Sequence, residues 1–587
     1  GEVRRAGAGT REGAGSTEMH ACTCWRKPIS NSSIKMLAVF VWIFESTSSL
    51  TKVVVCPGVC SDTKEVSSAA MHRGVMKSSS LAGAIEIVSA ARKQAMRVSP
   101  ITICLQAGQH ILREPLRLTG SLHGSISFVP CDRSFESRPT VSGAVRINGW
   151  RLTASGLWTA LVPDGVSASV RQLYISGERL GRTSASVEQL LGPLSLTKDP
   201  TGIHTTPVGY WTDERHPLLW TADTYAGIEL VYFQTIQKWI EPRCTIHNVT
   251  ARPNGSALIR MAEPCFSWLQ SEQLHAWPTS VENFPAHNMS VAGQYWTEAD
   301  TTSNDRAHQI WYHPRPQDLS ADGMSLIAEI IAPGAEGLID ASDVADLSFT
   351  GVRFEYAAWR GPVPDAFSYV PQQAGLHMTQ NDSSGTTPIP GAFSCRDCRR
   401  VLVANCSFSH LGGAAVDFGG VAQENAVDDC NITDVSASAV QFGSVANPLT
   451  ANRSLMSIGN TLAGSVIDDV AKEFLGCVAV WVGYSRSLQV SRNSISNVPY
   501  GGVSVGWGWN SYETTYAANN EIAYNYISGW MREVQDSGAT YTLGPQPNSS
   551  IHHNFIRHQV LSGIEPRPKC EVRVGDRCSV AQVIRRD

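Results

Sequence analysis

The clearest pattern in the chain lies beyond about residue 344. Short apolar, mostly β-branched runs such as Val401-Leu402-Val403, Leu488-Gln489-Val490 and Val503-Ser504-Val505 are separated there by Gly, Asn and Ser. Each unit carries two or three such runs, and none shows the period of an amphipathic helix. The units recur. An Asn or Cys followed two places later by Phe, Ile or Leu stands at Cys406-Ser407-Phe408, Cys430-Asn431-Ile432, Asn460-Thr461-Leu462, Asn493-Ser494-Ile495, Asn525-Tyr526-Ile527 and Asn554-Phe555-Ile556, with offsets of 24, 30, 33, 32 and 29 residues. Self-similarity at this period marks a solenoid, and short strands make it a right-handed parallel β-helix over 344–560. An Asn at one turn of every coil can hydrogen-bond up and down the stack. Cys406 and Cys430 are expected to pack there as small hydrophobes.

Upstream, Ser80 can cap a helix whose apolar face carries Leu81, Ala84, Ile85, Val88 and Ala91. Such a helix would cover the first coil, whose open edge otherwise invites pairing with another chain. Ile101–Leu105, Leu116-Arg117-Leu118, Ile126–Val129 and Thr140–Val145 read as the first strands, giving a cap and opening coils over 80–149. From 150 to 333 the alternating segments lengthen and become aromatic-rich, as in Arg171-Gln172-Leu173-Tyr174-Ile175 and Gly227–Tyr232, which predicts an antiparallel β insertion. The fold class is therefore all-β: a solenoid with a β-rich insertion and an N-terminal capping helix.

The two ends read differently. Residues 1–55 are expected to be a leader, in which Lys35 and Met36 precede the apolar run Leu37–Phe44 and then Ser46–Ser49. That is the order of a secretory signal peptide over 36–49, too short for a membrane span. Residues 561–587 form an atypical tail, since Pro566 and Pro568 flanking Arg567 argue against a central strand.

Composition adds three constraints. A net charge of −5 without a basic block gives no footprint for a phosphate backbone, so nucleic acid is excluded as the expected partner. Sequons at Asn248, Asn254, Asn288, Asn381, Asn405, Asn431, Asn452 and Asn548 fit a secreted glycoprotein. The 15 cysteines include the close pairs Cys56/Cys60, Cys395/Cys398 and Cys570/Cys578. Cys395-x-x-Cys398 is read as a local disulfide or packed turn thiol rather than half a zinc site, and neither metal nor cofactor is expected.

Five stretches carry a specific resemblance: Leu173–Arg179 (LYISGER), Phe408–Gly413 (FSHLGG), Val482-Gly483-Tyr484, Val498–Trp509 (VPYGGVSVGWGW) and Asp536–Pro545 (DSGATYTLGP). With them, residues 81–560 resemble the β-helix glycoside hydrolases of the pectate-lyase-like superfamily, in particular family 141, which includes α-L-fucosidase and xylanase activities. The resemblance implies a polysaccharide or glycan substrate and places Asp536 on an aspartate of the family motif proposed as catalytic. Hydrolysis needs two carboxyl groups across the scissile bond, and Asp417 and Glu533 are the candidates for the second. In the resembled family that second acid lies on the next coil. Here the chain runs instead into Ile564–Cys570, so the expectation is a chain shortened at its C-terminus, with catalysis impaired.

Trp507 and Trp509, two apart on a strand end, share one side and can stack on a sugar ring or fill the coil. Tyr484, His410 and Tyr541 complete the substrate-binding candidates. Two alternatives stay open: a polysaccharide lyase, for which Asp428-Asp429 supplies an adjacent acidic pair, and a non-catalytic glycan-binding β-helix. The chain is expected to be secreted and monomeric.

Overall fold

The computed structural model describes residues 52–56, 75–94, 99–120, 122, 124–132, 138–198, 207–213, 227–235, 237–270, 276–287, 290–299, 308–361, 368–379, 385–508 and 513–557. Three long parallel sheets run through it, with eleven, nine and eight strands, here called A, B and C. Successive coils visit them in that order: Leu402–Ala404 in A, Ser407–Ser409 in B and Ala414–Gly419 in C, then Ala426–Asp428 back in A. This is a right-handed parallel β-helix, as the repeat predicts.

The strands are short because each supplies one or two inward side chains before the chain turns. In sheet A the aligned inward column includes Ile103, Phe128, Phe349, Val403, Val427, Leu462, Val490 and Ile522, all buried. Sheet B contributes Phe354, Phe408, Ile432, Ile467, Ile495 and Ile527. Like residues stack on like: Phe128 lies 4.1 Å from Phe349 and Phe354 4.8 Å from Phe408, ring over ring. Each such side chain contributes about 1.5–3 kcal/mol by leaving water.

Two polar ladders hold the turns, not one. At the bend from A to B, Cys430 N–H donates to Ser465 Oγ, Ser465 N–H to Asn493 Oδ1, Asn493 N–H to Asn525 Oδ1 and Asn525 N–H to Asn554 Oδ1. At the bend into A, Val401 N–H donates to Asn425 Oδ1 and Asn425 N–H to Asn460 Oδ1. Asn460 thus belongs to the second ladder, since Leu462 pairs with Val427 in sheet A. The repeat boundary expected at Asn460 moves to Ser465, 35 residues after Cys430 and 28 before Asn493. Both ladders place an Asn two residues before an inward apolar side chain, which is why the pattern alone merges them.

The helix Leu81–Gln94 forms as expected, with Gly83 N–H donating to Ser80 Oγ and Leu81, Ala84 and Val88 buried. The leader reading needs correction at its end. Lys52–Val55 is a strand of sheet A, paired in parallel with Ile101–Leu105, and Val75–Ser78 pairs on its far side. Its alternating burial explains the placement: Val53 and Val55 point into the coil. The β-helix therefore starts half a hundred residues before Ile101 in sequence, and the expected signal segment 36–49 lies outside the described residues.

Between the sheet B strand Pro139–Ser142 and the sheet C strand Ile339–Ser342 the chain leaves the solenoid. It builds five-, four- and seven-stranded sheets, antiparallel except where Gly181-Arg182 pairs with Gln294-Tyr295. A buried ion network joins this insertion to the coils. Arg171 pairs with Glu229 and with Glu473 of the β-helix, Arg182 with Glu229 and Glu282, and Arg243 with Glu241 and Glu282. A small sheet, Pro371–Gln373, Leu376–Met378 and Thr386–Pro388, covers part of sheet C.

Cys395–Cys398 is a disulfide, and Cys104–Cys131 and Cys244–Cys265 are two more. Cys406 and Cys430 are buried thiols of the ladder. Cys60, Cys570 and Cys578 lie outside the described residues. No described helix is long and apolar enough to cross a membrane.

Candidate functional site

The corner where each coil leaves sheet B for sheet C carries an unusual column. Register aligns Tyr356, His410, Asp434, Asp469, Asn497 and Gly529 in successive coils. All six have left-handed backbones, with φ between 51° and 64°. That conformation lets the chain turn sharply out of a strand, and Asn, Asp and Gly tolerate it best. Neighbours in the column are about 4.8 Å apart, the spacing of paired strands.

Against this column lies the insertion hairpin Tyr174-Ile175/Glu178-Arg179. Together they enclose a groove of about 380 Å³ lined by Gly177–Gly181, His410, Asp434, Asp469 and Lys472. Arg179 closes its floor: Nε donates to Asp434 Oδ1 (2.7 Å), Nη1 to Ser436 Oγ (2.9 Å) and Nη2 to Leu411 O (3.1 Å). Burial opposes ionisation of Asp434, but Arg179 and the bond from His410 outweigh it and hold the carboxyl at about 2. An ionised Asp434 can only accept, so the 2.7 Å contact to His410 Nδ1 assigns the proton to Nδ1. The imidazole is fixed between Tyr174 and Tyr356, at 5.0 and 4.9 Å. Its Nε2 faces Gly177, 3.9 Å from where a Cβ would stand. Two of the motifs that carry the family resemblance, Leu173–Arg179 and Phe408–Gly413, thus meet at one Arg–Asp–His constellation.

The outward face of sheet C holds a second set. Asp340, Ser394, Asp417, Gln441, Trp481, Ser504 and Tyr541 form one row in register. Asp417 Oδ1 is buried without a partner among the described residues. Burial pushes its carboxyl up to about 7, against the pull of Arg396. Four strand steps separate Asp417 from Tyr541, about 19 Å at ordinary strand spacing.

Asp536 sits on the loop that leads into the last described strand of sheet C, Thr540–Thr542, and has a left-handed φ of 65°. The loop is pinned from two sides. Tyr500 Oη donates to Asp536 O (2.9 Å) and accepts from Gln373 Nε2 (3.3 Å). From the insertion, Gln234 Nε2 donates to Glu533 O (2.6 Å), and Lys238 O accepts from Gln535 N–H (2.8 Å). No hydrogen bond reaches the Asp536 carboxylate from the described residues. Tyr500, whose hydroxyl holds the loop, belongs to a buried apolar cluster with Trp481 and Val534, on which the partly exposed Trp239 and Trp507 pack. Tyr541 lies close enough to Tyr500 for their hydroxyls to interact electrostatically, as Asp536 does.

The structure therefore puts Asp536 and Glu533 on the loop that leads into the strand of Tyr541, at one end of sheet C, with Trp507 past the far end of the neighbouring strand, and leaves Asp417 and His410 coils away. Tyr484 is buried against Tyr516, Met456 and Ile458, its hydroxyl donating to Trp507 O (3.1 Å), so its ring serves packing. Trp509 lies outside the described residues. Asp428 and Asp429 stand at the exit of sheet A, on a different corner. Sequence reasoning passes over Asp434, Asp469, Lys472, Tyr500 and Gln373. For the first two a signal exists: His410, Asp434, Asp469, Asn497 and Gly529 each follow the inward Phe408, Ile432, Ile467, Ile495 or Ile527 by two places.

No family model and no curated protein matches the chain. Among solved structures, one titled "Glycoside hydrolase" aligns with a TM-score of 0.65 at 22% identity, covering 86% of this chain and 88% of that one. Another, "The complex structure of XylC with xylose", aligns with a TM-score of 0.44 at 10% identity, covering 86% and 70%. The first likeness spans most of both molecules, and by it the chain shares the parallel β-helix fold of a solved glycoside hydrolase.

Proposed function

We propose that the chain is a secreted, glycan-active enzyme that hydrolyses glycosidic bonds of a plant or microbial polysaccharide at the Asp536 loop. The observation that carries this reading is a carboxylate with no hydrogen-bond partner among the described residues, on a backbone pinned by Tyr500 and by the insertion; Trp239 and Trp507, partly exposed on the apolar cluster that holds Tyr500, are the rings open to a sugar face. The solved structure titled "Glycoside hydrolase" supports it by shared fold. Two carboxyl groups must stand about 5–9.5 Å apart, one protonating the leaving oxygen and the other attacking or activating water. Glu533 lies three residues before Asp536, so their Cα atoms are at most about 10 Å apart. Asp417, about 19 Å away along sheet C, is outside that window. Glu533 is therefore the better second acid. Three disulfides among the described residues suit an oxidising, extracellular compartment.

The test is release of reducing sugar from a panel of plant and microbial polysaccharides by the full chain and by Asp536→Asn and Glu533→Gln. Loss of at least about a hundredfold in rate, with unchanged thermal unfolding, is expected for each. A substrate turned over equally fast by Asp536→Asn would overturn the assignment.

A further inference from the structure

The Arg179–Asp434–His410 groove takes no part in the hydrolysis just described. Its coils lie up to four strand steps from Gly529, where the Asp536 loop begins, about 19 Å along the axis. Yet it is a built cavity rather than a surface crease. The hairpin of the insertion walls it, a buried guanidinium floors it, and an imidazole is locked between two tyrosines with one nitrogen turned inward. Gly177 stands opposite that nitrogen: its φ of +80° disfavours any side chain, and a Cβ there would lie in ordinary contact with His410 Nε2, at 3.9 Å.

The charges define what fits. Asp434 is matched by Arg179, Asp469 by Lys472 (2.5 Å) and Glu178 by Arg315 (2.5 Å). An anionic ligand would meet three carboxylates, and a cationic one two fixed cations. A neutral molecule rich in hydroxyls meets alternating donors and acceptors: Lys472 Nζ gives, Asp469 and Glu178 receive, and His410 Nε2 receives while its ring is neutral. The Asp434 and Asp469 positions repeat at the coil spacing, so equivalent polar groups recur along a chain laid parallel to the helix axis. Further along the same corner stand Asn497 and Arg532, joined by a 2.7 Å hydrogen bond, on the way to the Asp536 loop.

We infer that the groove between Gly177–Gly181 and the His410–Asp434–Asp469 column is a second saccharide site, which binds a neutral glycan and feeds its chain toward the Asp536 loop. The direction of feeding rests on the hydrolytic reading; binding in the groove does not. The experiment is calorimetric titration of full-length Asp536→Asn protein with neutral xylo-, manno-, gluco- and galacto-oligosaccharides and with an oligogalacturonate. At least one neutral series should bind, and adding His410→Ala or Lys472→Ala should weaken it about tenfold, the worth of one hydrogen bond. Lys472 is an exposed side chain whose loss leaves the core intact, so its variant stays informative if His410→Ala disturbs packing. Unchanged affinity in both variants overturns the site, as does absence of binding by every neutral series or tighter binding of the oligogalacturonate. Persistent turnover by Asp536→Asn alone would instead refute the hydrolytic assignment and leave the groove standing.

Discussion

A single buried oxygen can set how stability follows pH. Asp417 faces outward from sheet C, but its Oδ1 has no partner among the described residues, and burial pushes the carboxyl up to about 7. The folded chain thus keeps a proton that the unfolded chain, with an ordinary value near 3.8, has released. Stability from this group is fully present below about pH 4 and is lost as pH rises toward 7, by at most about 1.4 kcal/mol per unit of difference. Asp417→Asn is expected to match wild type at pH 4 and to melt higher at pH 8, by a margin worth about 1–3 kcal/mol. Thermal unfolding at the two values checks this, and equal melting at pH 8 would remove Asp417 from the account. Asp434 behaves oppositely: held at about 2, its contribution is present above about pH 4 and lost as pH falls.

The coil is the element, and its ladder is where sequence and structure agree most closely. Asn525 shows why Asn is used there. Its Oδ1 accepts from Asn493 N–H, and its Nδ2 donates to Val490 O and to Asn554 Oδ1. Asn525→Ala would strand these buried partners and is expected to cost about 2–4 kcal/mol, read as a lowered midpoint in urea. Ser in its place should recover part, because Ser465 fills the same position. An Asn, Ser or Cys at the bend and an inward Ile, Phe, Leu or Val recur from coil to coil because local geometry demands a small polar or packing group and then a core side chain, so the solenoid is legible. Asn460 shows the limit: two ladders obey one local rule, and only pairing across coils tells them apart. The left-handed column is legible in hindsight, since its residues keep one offset from the inward apolar position. What meets that column is not, for Arg179 finds Asp434 across 255 residues and no local pattern encodes such a contact.

At the scale of the whole molecule the question is what holds the insertion on the solenoid. The answer is a buried network of Arg171, Arg182 and Arg243 with Glu229, Glu282, Glu473 and Glu241. Three guanidinium groups balance three carboxylates. Glu241 is the fourth, and burial pushes it up to about 7 although Arg243 touches it. The raised value means that Glu241 takes up a proton far more readily than an ordinary carboxylate, and that proton would bring the network to neutrality in a site shut off from water. Arg243 is the hinge of this balance, contacting Glu241, Glu282 and Glu229 while almost wholly buried. Its removal leaves carboxylates without compensation, a change that ordinarily costs about 3–5 kcal/mol. Arg243→Met is therefore expected to loosen the insertion before the coils. Hydrogen exchange should rise first over Glu229–Val231 and Arg243–Ala251, while the sheet A and B strands of 402–470 keep wild-type protection. Equal loss in both regions would mean that insertion and solenoid unfold as one unit, with the network no more than a local contact. Because Gln234 and Lys238 of the same insertion pin the Asp536 loop, the variant should also lose turnover without any change at Asp536 itself.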